Sequence, residues 1–220
     1  MSLKNNICEI HKRIDDAAKR AGRKKEDITL ICVSKTIDAE VINEAVSLGE
    51  KTFGENRPQE LRDKLDRVPG AVWHQIGHLQ TNKVKYVVGK AELIHSVDSI
   101  HLAEAINERA EKEGLCQDIL LEVNISGEES KYGLTIAQIP DIIKEISSLK
   151  NLNFRGFMTM APLDAPEEEI RKIFKTAHTL FENHKKDGAD ILSMGMSKDF
   201  EIAVEEGATH IRVGSAIFKR

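Results

Sequence analysis

Short apolar runs alternate along this chain with longer amphipathic segments. Ile7, Ile10, Ile14, Ala17 and Ala18 recur at helical spacing and predict a first helix. Candidate strands then fall at 28–34, 51–54, 72–77, 92–97, 118–125, 153–159, 190–194 and 209–213. Helical patterns lie between them, near 38–48, 57–66, 81–88, 99–113, 136–148, 166–186 and 198–206. Strand and helix alternating in this way predict an α/β fold with a parallel sheet and crossover helices. About eight strands in a chain of this length fit a (β/α)8 TIM barrel with an additional N-terminal helix. A doubly wound open sheet is the alternative. No low-complexity linker divides the chain, so residues 1–220 are expected to form a single domain.

Local signals support these elements. Asp38 can cap a helix from Ala39, and Gly49 follows its last turn. Ser99 precedes the periodic run Ile100, Leu102, Ala103, Ile106, and Gly114 closes it. Pro166 followed by Glu167, Glu168 and Glu169 makes a good first turn, and Gly188 ends that long helix.

Composition narrows the function. Hydrophobic residues make up 40% of the 220, enough for a sizeable core. Charged residues are 31%, interspersed in sign, with a net charge of -4. No basic stripe stands out, which argues against nucleic acid as a partner. No run approaches the length of a membrane span, and the polar N-terminus lacks the apolar region of a signal peptide. Cys8, Cys32 and Cys116 are an odd number without metal-like spacing, and the eight histidines are scattered. A reduced, cytoplasmic protein without disulfides or a metal site is expected.

Barrels place their chemistry at the C-terminal ends of strands. Here those ends gather polar and small residues: Ser34-Lys35-Thr36, Gly54-Glu55-Asn56, Gly77-His78, Asp98, Asn124, Thr159, Gly195-Met196-Ser197 and Arg212-Val213-Gly214-Ser215. Lys35 ends an apolar strand, on the face of Ile31 and Val33 by alternation. If that face is the core, its amine enters an apolar cavity, where desolvation lowers the pKa and yields a nucleophile toward carbonyls. The bland alternative is a surface lysine just past the strand. Barrels often bind phosphate at the loops after strands seven and eight. Ser197 is placed to cap the helix near Lys198, Gly214 permits close backbone approach, and Ser215 offers an N–H and a hydroxyl. A plain cap and a tight turn are the competing reading. An inward Arg212 needs a partner, either a carboxylate such as Glu122 or an anion or ring nitrogen of a ligand. Lys35, the loop pair and Arg212 together suggest pyridoxal 5'-phosphate.

With these residues in place, the chain resembles the pyridoxal phosphate homeostasis protein family over nearly its whole length. The matching stretches are Val33-Ser34-Lys35-Thr36, Phe53-Gly54-Glu55-Asn56-Arg57-Pro58-Gln59-Glu60, Trp73-His74-Gln75-Ile76-Gly77-His78-Leu79-Gln80-Thr81-Asn82-Lys83 and His95-Ser96-Val97-Asp98-Ser99. They continue through Asn124-Ile125-Ser126, Lys131-Tyr132-Gly133, Gly156-Phe157-Met158-Thr159-Met160, Leu192-Ser193-Met194-Gly195-Met196-Ser197 and Ile211-Arg212-Val213-Gly214-Ser215-Ala216-Ile217-Phe218. The resemblance implies a monomeric barrel like the N-terminal domain of alanine racemase, with the cofactor as a Schiff base on Lys35. It implies that Asn56, Met158, Ser197, Arg212, Gly214 and Ser215 surround the cofactor, with Ser197, Gly214 and Ser215 on its phosphate. It also implies a role in vitamin B6 and amino-acid homeostasis without firmly established turnover. Ser215 stands where threonine is common in the family, and the last helix is expected to be short.

A cofactor carrier is thus set against a pyridoxal phosphate-dependent amino-acid racemase. Racemisation needs a base on each face of a planar carbanion. Lys35 supplies one, and the candidates for the other are Tyr86 and Tyr132, of which Tyr132 follows strand five. An arginine opposite the pyridine nitrogen disfavours ring protonation and weakens the electron sink. These points favour a carrier that exchanges cofactor with apo pyridoxal phosphate-dependent enzymes. Lys131, in the polar loop after strand five, reads as solvated or as a residue of cofactor capture. His74, His78 and His95 read as ordinary strand-end histidines rather than donors to the ring.

Overall fold

A computed structural model describes residues 2–128 and 132–219. The eight strands are β1 (Thr29–Val33), β2 (Thr52–Glu55), β3 (Val72–Gln75), β4 (Leu93–Val97), β5 (Gln117–Glu122), β6 (Leu152–Met158), β7 (Ile191–Ser193) and β8 (His210–Val213). They pair in parallel, in sequence order, into a closed barrel. Closure is made by β1 against β8, with Thr29 opposite His210 and Ile31 opposite Arg212. Between and after the strands lie α2 (Ala39–Ser47), α3 (Pro58–Lys64), α4 (Ile100–Glu113), α5 (Ile139–Ile146), α6 (Glu167–Asn183), α7 (Phe200–Glu205) and the short α8 (Ser215–Phe218). The open sheet is therefore excluded.

One connection differs from the expected pattern. The segment near 81–88 forms a 3-10 helix, Thr81–Tyr86, rather than an α-helix. Its apolar positions are only Val84, Val87 and Val88, all buried. That gives one turn of contact, made by β-branched residues, before Gly89 turns the chain at φ 72°. A stripe so short does not sustain α-helix propagation. Asp38 stands at the N-cap of α2 without a side-chain cap bond, whereas the caps of α4 follow sequence expectation. Ser99 accepts the N–H of Leu102 at 3.3 Å, and Gly114 closes α4 in the left-handed region.

The N-terminal helix α1 (Leu3–Arg20) buries Ile7, Ile10, Ile14, Ala17 and Ala18, the set its spacing marks. It packs on α7 and α8. The Asn6 amide donates to the carbonyls of Ile217 and Lys219, at 2.8 and 3.1 Å, and so ties the end of the chain to α1.

Two cores result. The larger lies between the strand wall and the helices, and includes Leu30, Cys32, Phe53, Trp73, Ile211 and Val213. A small one, Leu93, Leu120, Met158 and Ile191 with Met160 against it, fills part of the barrel interior. Alternation along β8 sends Ile211 and Val213 outward and His210 and Arg212 inward. Gly54 is needed here, because a Cβ at that position would lie 2.9 Å from methyls of both Ile31 and Ile76.

Candidate functional site at the C-terminal mouth of the barrel

Lys35 lies in the turn after β1 and is exposed, not sunk in an apolar cavity as the strand pattern allowed. What is buried is the frame on either side of it. The Ser34 hydroxyl donates to Glu55 Oε1 at 2.7 Å. Lys64 Nζ donates to the Ser34 carbonyl at 2.8 Å and to Glu55 Oε1 at 2.7 Å. Glu60, one turn earlier on α3, accepts the Thr36 N–H at 2.8 Å. Thr36 is the one non-glycine residue with positive φ (62°) among the described residues. A left-handed threonine costs about 1 kcal/mol or more, and the Glu60 bond helps hold it there. Burial pushes the Glu55 carboxyl pKa up, opposed by Lys64 and Ser34.

Asn56 follows β2 and is half-buried. The Gln75 amide nitrogen donates to the carbonyls of Asn56 and Gly77, both at 3.0 Å, and joins the ends of β2 and β3. The approach is close enough that a Cβ on Gly77 would lie 2.5 Å from the Asn56 carbonyl oxygen.

The loops after β7 and β8 meet directly. The Ser197 hydroxyl oxygen accepts the Gly214 N–H at 3.2 Å. Ser197 is thus not the helix cap expected of it. Asp199 occupies the N-cap of α7, and its carboxylate accepts the Met196 N–H at 2.5 Å. The reason is spacing: α7 begins at Phe200, three residues after Ser197, so the serine is free to reach the neighbouring loop. Gly214 abuts β1, where a Cβ would come within 3.0 Å of Val33. Ser215 beside it is exposed. Ser197, Gly214, Ser215 and the end of the Lys35 strand are therefore neighbours.

Met158 and Arg212 are buried inside the barrel, Met158 in the apolar interior cluster. Arg212 does not pair with Glu122. It donates to Ser193 Oγ at 2.5 Å and to the Thr159 carbonyl at 3.0 Å. Burial pushes its pKa down to about 10, opposed by the charges of Asp199 and Glu122, so it stays cationic at neutral pH. Burial, then the charge of Asp98, raises the Glu122 carboxyl to about 7. His78 approaches Asp98 at 3.2 Å and stacks on Tyr132 at 4.0 Å between ring centroids. Tyr86 lies elsewhere, beneath the side chains of Arg62, Lys83 and Lys85. Lys131 lies outside the described residues.

The mouth offers a primary amine, hydroxyl and amide groups at one loop junction, and a buried guanidinium held by neutral acceptors. That donor set suits an anionic ligand with a carbonyl carbon. Sequence reading did not anticipate the Glu55–Lys64–Glu60 frame or Ser193. A lysine and two glutamates around one short helix resemble ordinary surface charge, and only the tertiary approach of α3 to β1 reveals their use.

Residues 6–220 match the family described as alanine racemase, N-terminal domain. A pyridoxal phosphate homeostasis protein of Aquifex aeolicus is 41% identical over 97% of each chain. One from Escherichia coli K12 is 36% identical, covering 98% of this chain and 95% of that one. This chain belongs to the pyridoxal phosphate homeostasis protein family. Among solved structures, PipY of Synechococcus elongatus with pyridoxal phosphate bound is 32% identical, with a TM-score of 0.85 over 99% of this chain and all of the other. No helix among the described residues of this family member is long and apolar enough to cross a membrane.

Proposed function

We propose that this protein binds pyridoxal 5'-phosphate at the C-terminal mouth and serves intracellular vitamin B6 and amino-acid homeostasis as a cytoplasmic, monomeric carrier. The observation that carries the reading is the direct bond between the β7 and β8 loops, Ser197 to Gly214, beside the strand that bears Lys35. Bound there, the cofactor supplies an aldehyde carbon for an amine and a ring that can accept electron density. Lys35 would hold it through its primary amine. Ser197, Gly214 and Ser215 would take its phosphate, Asn56 and Met158 would lie around it, and Arg212 would act as a donor to the pyridine nitrogen.

Arg212 also favours holding over turnover. A guanidinium that keeps its proton leaves the opposing ring nitrogen unprotonated, and carbanion chemistry is then poorly supported. The racemase reading retains one observation in its favour: Tyr132 reaches the mouth, stacked on His78. Yet Tyr132 is 60% exposed, a poor setting for a tuned base.

The test is the visible spectrum of the protein mixed with pyridoxal phosphate, then borohydride reduction and peptide mass mapping. A yellow band, a reduced adduct on Lys35 and loss of both in Lys35→Ala are expected. Label spread over many lysines would overturn the site. Racemase assays on the loaded protein, with Tyr132→Phe as control, separate carrier from enzyme. Reactivation of apo-enzymes faster than spontaneous cofactor loss supports direct transfer.

A further inference from the structure

A line of polar side chains crosses the barrel interior from the mouth to the opposite end. Arg212 on β8 donates to Ser193 Oγ on β7 at 2.5 Å. Ser193 Oγ lies 3.0 Å from Nδ1 of His95 on β4. These two strands are not neighbours, so the contact spans the interior. His95 Nε2 lies 3.0 Å from Nδ1 of His74 on β3. His74 Nε2 then approaches the Glu92 carboxylate at 3.8 Å, where the interior opens at the start of β4. Arg212, Ser193, His95 and His74 are all buried. Buried polar groups of this kind are costly unless every proton has an acceptor.

The two ends decide the direction of the chain. An arginine can only donate, and an ionised carboxylate can only accept. Contact with His74 holds the Glu92 carboxyl below its ordinary range, so it is ionised at neutral pH. Burial, reinforced by the charge of Arg212, keeps the His95 ring neutral. The Ser193 hydroxyl accepts a hydrogen bond from Arg212 and donates its own to His95 Nδ1. His95 then carries its proton on Nε2 and donates to His74 Nδ1, and the His74 proton sits on Nε2, facing Glu92. The reversed arrangement would aim a ring lone pair at a carboxylate and leave the buried Ser193 proton without an acceptor in the chain.

We propose that His95 and His74 are positioning residues that, through Ser193, hold the Arg212 guanidinium in a single orientation at the floor of the mouth. The proposal rests on the cofactor reading above for its consequence, not for the chain itself. The four donors and acceptors come from four strands of the barrel wall, so Arg212 is fixed by the scaffold rather than by loops. Its guanidinium then meets a ring nitrogen as a preset donor, with no reorientation on binding.

Long-range proton–nitrogen NMR of the ligand-free protein at pH 7.5 tests the chain directly. Both His95 and His74 should be Nε2–H tautomers, and an Nδ1–H tautomer at His95 overturns the proposal. The positioning role is tested in loaded protein by the cofactor dissociation rate and the position of the visible band. His95→Leu should speed dissociation about tenfold and shift the band, the scale of one lost buried hydrogen bond. His95→Asn, whose amide oxygen can still accept from Ser193, should stay within about twofold of the parent. Equal behaviour of the Leu and Asn variants, with an unshifted band, overturns positioning. If the parent takes up no cofactor, the functional reading fails while the tautomer result stands. If His95→Leu does not fold, Ser193→Ala gives the same comparison against Ser193→Thr, which keeps the hydroxyl.

Discussion

The two ends of this barrel use their charges differently. At the N-terminal end, Arg155 on β6 meets Asp118 of β5 and, at 2.8 and 2.6 Å, both oxygens of Asp190 just before β7. Charges there pair with charges around the opening at the start of β4. At the C-terminal end, charged and amide groups also hold backbone: Lys64 the Ser34 carbonyl, Glu60 the Thr36 N–H, Gln75 the Asn56 carbonyl and Arg212 the Thr159 carbonyl. Lys35 and Ser215 are left exposed within a fixed frame. One end spends its charges on one another, and the other holds its loops still while leaving reactive groups open to a ligand.

Lys64→Met should show the largest effect of breaking that difference. It leaves Glu55, fully buried, without its cation, and such losses run to about 3–5 kcal/mol. The unfolding free energy from denaturant titration should fall by that amount, and covalent uptake of pyridoxal phosphate by the still-folded fraction should slow, because Ser34 loses its tether. Normal uptake kinetics would show that the frame serves stability alone. Next comes Glu122→Gln. Folding raises this carboxyl from an ordinary value of 4.5 to about 7, so between those values the native state holds a proton that the unfolded chain has lost. Stability from this group is complete below about pH 4.5 and is lost as pH rises through about 7, roughly 3 kcal/mol in all. The variant should therefore be more stable than the parent at pH 8 and nearly equal at pH 4.5. Buried His95 and His210, whose pKa values are lowered, act oppositely, removing stability as pH falls below 6.5. They are common to both proteins, so the difference in urea midpoint between parent and variant isolates Glu122.

The architecture was legible because alternation of short apolar runs with amphipathic segments is a property of the chain itself. The five apolar positions of α1, the Ser99 cap and the Gly114 stop act within a few residues, and each appears where local chemistry places it. The segment near 81–88 was misread because its three valines satisfy a helical period without enough length to build one. At the mouth, residue types pointed to the right face, but partners did not follow from type. Arg212 was expected to need either a carboxylate such as Glu122 or a ligand group, and within the chain a serine hydroxyl and a carbonyl hold it instead of the carboxylate. Ser197 had the chemistry of a cap, and spacing freed it to bind Gly214. His74 and His95 looked ordinary because their use depends on His95 reaching Ser193 across the barrel interior, and no sequence period encodes a distance across the barrel.

Smaller effects sharpen the comparison of the two ends. Ser197→Ala removes the acceptor of the Gly214 N–H and should cost about 1 kcal/mol of stability, with cofactor affinity lowered about tenfold. Titration of the visible band against pyridoxal phosphate measures the second effect, and an unchanged midpoint would remove Ser197 from the phosphate site.

Asp190→Asn is the matched change at the N-terminal end and should be the mildest. Its side chain is 55% exposed, and exposed ion pairs contribute about 0–1 kcal/mol. Arg155 keeps Asp118, so no buried charge is stranded. Thermal stability should drop slightly, by less in high salt, where screening has already weakened the pair. Cofactor affinity and the Lys35 adduct should not change. A shift of the visible band in this variant would mean that the ends communicate. The path would run through Arg155 and Asp190 acting on His210, which stacks on His74 with ring centroids 6.2 Å apart. Division of labour between the ends therefore requires Asp190→Asn to alter stability alone, and Ser197→Ala to alter both stability and binding.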